Sequence, residues 1–180
     1  MASYAPFYQE IVRKIALQNE TEGQTTHIVE AGVRYGCSAR IIEEVMKDLE
    51  DWHLDLIDPF PRPSATILAQ QNQHITFHPC AAEEVAPLFE DGSIDLLHID
   101  VDTDNTHPYK LTRDVFDAFL PKLRPSAQII FHDATDAFPG VLSVIGELIA
   151  TGEWKVTHCA PVHIGPYAPI AAPAHVTRII

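Results

Sequence analysis

Four carboxylates stand at or just beyond the ends of short apolar runs. Glu30 lies in His27-Ile28-Val29-Glu30-Ala31, Asp58 follows His53 to Ile57, Asp100 follows Ile94 to Ile99, and Asp133 follows Gln128 to His132. If these runs are parallel strands, the acids converge on the sheet edge where ligands bind, beyond the carboxyl ends of the strands. Such a grouping costs electrostatic repulsion unless something cationic or rich in hydrogen-bond donors binds there. The first acid leads into Gly32-Val33-Arg34-Tyr35-Gly36-Cys37-Ser38. Gly32 allows a sharp backbone turn and Gly36 allows a ligand close to a helix start, where free N–H groups attract anions. The segment lacks the middle glycine of Gly-x-Gly-x-x-Gly and the Gly-Lys-Ser/Thr of a P-loop, which argues against a nicotinamide dehydrogenase and against that phosphate cradle. Asp58 closes the second run 22 residues after Gly36 (58 − 36), the place where an acid accepts the hydroxyls of an adenosine ribose.

The most specific text runs from Ile94 to Asp133. It reads Ile94-Asp95-Leu96-Leu97-His98-Ile99-Asp100-Val101-Asp102, then His107-Pro108-Tyr109, Leu120-Pro121-Lys122-Leu123-Arg124-Pro125 and Phe131-His132-Asp133. Here the chain resembles the class I methyltransferases, and within them the type 24 family, which includes sugar and macrolide O-methyltransferases. The family reads approximately I-D-L-L-H-I-D-G-x-H-x-Y, then W-L-P-K-L-R-P-G-G-x-x-x-F-H-D. The resemblance spans about His27 to Glu147, and the first family motif, acid-x-Gly-x-x-x-Gly-x-Ser, is matched by Glu30, Gly32, Gly36 and Ser38.

The resemblance implies S-adenosylmethionine as cofactor and a small-molecule acceptor. Glu30, Gly32, Gly36 and Ser38 would hold the methionine end, Asp58 the ribose, and Ala82 and Glu83 would lie by the adenine. Asp100 would stand near the methyl group. Asp100 or Asp102, with Asp133, match places where relatives bind Mg²⁺, a cation suited to oxygen ligands and retained water. Departures from the family text are Ala134 where a second acid or amide often stands, Val101 for a glycine, the longer stretch Thr103 to Thr106, and Ser126-Ala127 for a Gly-Gly turn. Methyl transfer from a sulfonium asks for in-line positioning and removal of a hydroxyl proton. His107 and Asp102 are the candidate bases, with His132 next, since His titrates near neutrality. His98, inside its run, is expected to be a satisfied core histidine.

Positioning these groups requires an α/β fold, a single doubly wound Rossmann-like domain over residues 1–180 with a mostly parallel central sheet and helices on both faces. Strands are expected at His27–Ala31, His53–Ile57, Ile75–His78, Ile94–Ile99, Gln128–Phe131 and Trp154–Thr157, with a last one over His175–Ile180. Helices are expected over Pro6–Gln18, Ser38–Leu49, Ser64–Gln71, Ala82–Phe89 and Val141–Ala150. A further helix carries Leu111, Val115, Phe119 and Leu123 at a four-residue interval, read as one buried stripe. Pro161 to Pro173 reads as a proline-rich loop.

Composition narrows the setting. With 12 Lys plus Arg against 25 Asp plus Glu, net −13, the chain repels phosphate backbones and anionic lipid, so nucleic acid and membrane are not expected partners. Cys37, Cys80 and Cys159 are odd in number and far apart, fitting neither a disulfide framework nor a zinc site. The start of the chain lacks a secretory pattern, so a cytoplasmic location is expected, and a homodimer is compatible with the text. The leading function is O-methylation of a small molecule or sugar. The competing one is an inactive S-adenosylmethionine-binding module in regulation or interaction, because little chain remains for a substrate cap.

Overall fold

Successive strand residues enter opposite apolar layers, as side-chain alternation demands. Ile28, Leu96 and Ile130 pack in one cluster, and their neighbours Val29, Leu97 and Ile129 in another. Strands buried on both faces in this way belong to a sheet covered by helices on each side. The computed structural model describes residues 4–60, 62–101, 107–159 and 173–179.

The strands are β1 (Thr26–Ala31), β2 (Trp52–Ile57), β3 (Ile75–His78), β4 (Ile94–Ile99), β5 (Leu123–Phe131), β6 (Trp154–Cys159) and β7 (Ala174–Arg178), ordered β3-β2-β1-β4-β5-β7-β6. The first five pair in parallel, and β7 runs antiparallel to both β5 and β6. The helices are α1 (Ala5–Glu22), α2 (Cys37–Met46), α3 (Pro63–Gln71), α4 (Ala82–Val85, continued by a 3-10 turn over Ala86–Leu88), α5 (Pro108–Phe119) and α6 (Pro139–Ala150). Phe7, Ile11 and Ile15 of α1, Ile42 and Met46 of α2 and Leu68 of α3 cover one face. Val85, Val115, Phe116, Phe119 and Val144, from α4, α5 and α6, cover the other. The expected architecture is therefore present.

Several element readings change: α1 runs past Gln18 to Glu22, and β5 opens at Leu123 rather than Gln128. The stripe Leu111-Val115-Phe119-Leu123 does not hold: the buried residues of α5 are Thr112, Val115, Phe116 and Phe119, and Leu123 opens β5. A spacing of four overshoots the 3.6-residue turn by roughly 40° each time, so such a row drifts off one face. Pro121 also stops the helix, which ends in a 3-10 turn over Leu120–Lys122. The α2 helix ends at Met46, not Leu49. The proline-rich loop lies outside the described residues apart from Pro173. No described helix is long and apolar enough to cross a membrane.

A second polar cluster sits on the sheet itself. Asp55 of β2, buried, accepts His27 Nε2–H from β1 at 2.7 Å and His78 Nε2–H from β3 at 2.6 Å. Burial alone would raise its carboxyl, but the two imidazoles outweigh that and hold it below the usual range.

Candidate active site

The amides just past each strand end continue the ladder. Gly32 N–H donates to the Ile57 carbonyl, Asp100 N–H to Ala31 and His132 N–H to Ile99, at 2.8, 2.8 and 2.9 Å. The loops after β2, β1, β4 and β5 therefore start at one level, which sets the carboxylates along one edge.

After β1 the chain turns at Gly32, with φ +87°, and caps α2 at Gly36, with φ +72°. Between them Arg34 holds a left-handed φ of +49°, a conformation that is strained for a residue with a side chain unless its surroundings impose it. Asp58 imposes it. Its Oδ2 accepts Val33 N–H at 3.1 Å and Arg34 N–H at 2.8 Å, and its Oδ1 accepts Phe60 N–H at 2.7 Å. The carboxylate expected to hold ribose hydroxyls thus also organises the glycine turn from across the sheet.

Glu30 is 0% exposed. Its Oε1 accepts the Ser38 hydroxyl, and its Oε2 is buried without a hydrogen-bond partner among the described residues. An uncompensated buried carboxylate oxygen is energetically expensive, so this atom marks a place built for a donor.

At the ends of β4 and β5, His132 Nδ1 lies 3.2 Å from Asp100 Oδ1 and 3.1 Å from Asp133 Oδ1. Asp133 turns with φ +57°. Burial works against a charge on His132, but Asp100 and Asp133 prevail and push it up to about 10. Asp100 is held low: burial raises it, and His132, His98 and Arg34 more than offset this. One oxygen from each Asp and one His132 nitrogen lie within 4.8 Å of one another, close enough to share a metal ion.

The remaining expected residues are more scattered. Ala82 opens α4 with its side chain buried in the core, and Glu83 beside it is exposed. His107 stands exposed at the start of α5, its carbonyl accepting Leu111 N–H at 3.1 Å. Asp102 lies outside the described residues. His98 is fully buried as expected but only half satisfied: Nε2 meets the Tyr8 hydroxyl at 2.9 Å, while Nδ1 lacks a hydrogen-bond partner among the described residues and faces Glu30 Oε1 at 3.5 Å.

Sequence reasoning missed the contribution of α1. Tyr4 meets the His132 ring edge-on, with centroids 6.2 Å apart. Tyr8 has its phenol pushed well above the ordinary value, first by burial and then by Asp100, Glu30 and Asp133. The only signal was Tyr8 in helical register with Ile11 and Ile15, which reads as ordinary core.

Solved methyltransferases share this fold at low sequence identity. The O-methyltransferase TomG of Streptomyces achromogenes, in complex with SAM, has a TM-score of 0.69 at 15% identity over 99% of this chain and 80% of its own. The 1,6-didemethyltoxoflavin-N1-methyltransferase of Burkholderia thailandensis, with bound 1,6-didemethyltoxoflavin and S-adenosylhomocysteine, gives 0.63 at 14% identity over 95% of this chain and 77% of its own. The N-methyltransferase NodS of Bradyrhizobium japonicum gives 0.59 at 18% identity over 96% of each chain. No curated protein matches in sequence. Residues 29–134, from β1 to the turn after β5, match the type 24 methyltransferase domain, and the chain belongs to that family of class I S-adenosylmethionine-dependent methyltransferases.

Proposed function

We propose that this chain transfers a methyl group from S-adenosylmethionine to an oxygen of a small hydroxylated molecule or sugar. The observation that carries the reading is Glu30 Oε2, a buried carboxylate oxygen that lacks a donor beside the glycine turn. The methionine ammonium of the cofactor is a donor of the right charge for this oxygen. Ser38 fixes the other oxygen of the same carboxylate. Asp58 gives three of its roughly four acceptor positions to backbone amides, which leaves about one for a ribose hydroxyl. Glu83 and the backbone at Ala82 would border the adenine.

Bound S-adenosylmethionine supplies a methyl group already activated on a sulfonium. What remains for the protein is alignment and proton removal. His132 Nδ1 stands at ion-pair distance from Asp100 and Asp133, whose charges favour its protonated form. A positive charge beside these carboxylates would weaken their hold on that proton, and His132 Nδ1 would then serve as acceptor for the proton of a substrate hydroxyl. His107 and Asp102 are the further candidates for this step. Asp100 and Asp133 would hold Mg²⁺, with Asp102 as an added ligand, and the metal would lower the pKa of a coordinated hydroxyl. N-methyltransferases share this fold, so the oxygen reading rests on the paired acids and imidazole, which suit a hydroxyl that must lose a proton.

The test is incubation with S-adenosylmethionine and a panel of hydroxylated and amino acceptors, with Mg²⁺ or with chelator, and mass detection of the product. A gain of one methyl on a hydroxylated acceptor, lost in Glu30→Ala, is the expected outcome. Binding of S-adenosylhomocysteine without turnover of any acceptor would favour a non-catalytic cofactor-binding module.

A further inference from the structure

We propose that His98 is a positioning residue for the cofactor: carrying its proton on Nδ1, it orients Glu30 and is itself held by Tyr8, so that α1 forms part of the cofactor site. This rests on the reading that Glu30 receives the methionine ammonium.

The register places the pair side by side. Glu30 of β1 and His98 of β4 are direct partners across a parallel pair. They point to the same face as Ile28, Leu96 and Ile130, beneath α1 and α2. Both are 0% exposed, so neither can turn to water for a partner. An imidazole in this position has two choices. With the proton on Nε2, its bare Nδ1 lone pair would face Glu30 Oε1 at 3.5 Å, two acceptors in a buried place. With the proton on Nδ1, the N–H faces the carboxylate across 3.5 Å, an electrostatic contact outside hydrogen-bond geometry, and the bare Nε2 accepts a hydrogen bond.

Tyr8 selects between them. Its hydroxyl lies 2.9 Å from Nε2, and burial among Glu30, Asp100 and Asp133 keeps that phenol protonated, so it can donate to Nε2; the reverse bond, Nε2–H to the phenol oxygen, would leave the two acceptors face to face at Nδ1. A donor on Nε2 fixes the proton on Nδ1. The order of donation is then Tyr8 O–H to His98 Nε2, and His98 Nδ1–H toward Glu30 Oε1, which also accepts the Ser38 hydroxyl. With Oε1 held from two sides, Oε2 is the atom left for a ligand. The N-terminal helix, remote in sequence, thereby sets the aim of the carboxylate at the end of β1.

The tautomer is read in the ligand-free, 15N-histidine-labelled protein by two-bond 1H–15N correlation, which distinguishes Nδ1–H from Nε2–H. Wild type is expected to show the Nδ1–H form at His98, and Tyr8→Phe a mixture of both. Calorimetry with S-adenosylhomocysteine then compares wild type, His98→Leu, His98→Asn and Tyr8→Phe. Asn places an amide N–H near the Nδ1 position, so His98→Asn is expected to recover affinity that His98→Leu loses. Loss of a buried polar contact to a charged group is expected to weaken binding by about 10-fold in His98→Leu. An Nε2–H tautomer in wild type, unchanged affinity in His98→Leu, or no recovery in His98→Asn would each overturn the proposal. Absence of heat from wild type would overturn the cofactor reading itself, whereas heat from wild type with unaltered variants overturns this relay alone. Should His98→Leu not fold, Tyr8→Phe and the wild-type tautomer still decide.

Discussion

Gly32 and Asp100 touch through their backbones. A Cβ on Gly32 would fall well inside contact with the Asp100 carbonyl oxygen and 3.1 Å from Val101 N. Gly32 also needs φ +87°, which L side chains rarely adopt. Gly32→Ala is expected to lower stability by about 2 kcal/mol or more, measured by denaturant unfolding, and to abolish heat on titration with S-adenosylhomocysteine. A variant that binds normally would show that the turn has slack at this point.

Two glycines of α6 give a contrast. At Gly140 a methyl would lie inside contact with Tyr109 N and 2.9 Å from Pro108 Cγ, where α5 and α6 start side by side. At Gly146 it would meet nothing within 4 Å. Gly140→Ala is expected to destabilise by about 1–3 kcal/mol, whereas Gly146→Ala is expected to stabilise by about 0.5–1 kcal/mol through helix propensity. Thermal unfolding of both variants tests the packing of the two helices.

His175 sets an acid limit to stability. It is buried, and burial, helped by Lys14 and His158, pushes it down to about 4. The unfolded chain binds this proton near pH 6.5, so between about 6.5 and 4 it binds more protons than the folded one. The contribution is complete above pH 6.5 and disappears as the pH falls through 4, on the order of 3 kcal/mol in total. Unfolding midpoints between pH 7 and 4 are expected to fall, and less steeply in His175→Gln.

The strand ends were legible because each carries a chemical stop. Asp58-Pro59 ends β2, Asp100 follows β4 and His132-Asp133 follows β5 within a residue or so of expectation. Their places after the apolar runs located the acids, the family resemblance suggested their roles, and the structure brings Asp100 and Asp133 together about His132. What could not be read were pairings set by register and packing. Tyr8 and His98 are 90 residues apart, and the cluster of His27, Asp55 and His78 joins three strands through contacts that no local spacing encodes. The buried stripe of α5 was misplaced because a regular interval of four imitates a helix face before drifting from it. Asp58 was located by its place after β2, yet its hold on Val33 and Arg34 depends on how the loops fold over one another.

Divalent metal is expected to act through Asp100 and Asp133. If Mg²⁺ binds there, a concentration a hundredfold above its dissociation constant adds about 2.7 kcal/mol to stability, seen as a rise in melting temperature. Asp133→Asn should abolish most of that rise. Equal responses of wild type and variant would place the ion elsewhere.

The position of β7 has a consequence for synthesis. Residues 174–178 lie between β5 and β6, although β6 leaves the ribosome first. The nascent chain can therefore assemble the parallel half of its sheet early, while β6 must wait for a later segment to give it a neighbour. Until then the outer edge of β5 is bare and open to pairing with other polypeptides, so completion of the sheet, and protection from aggregation, waits for residues 174–178 to emerge.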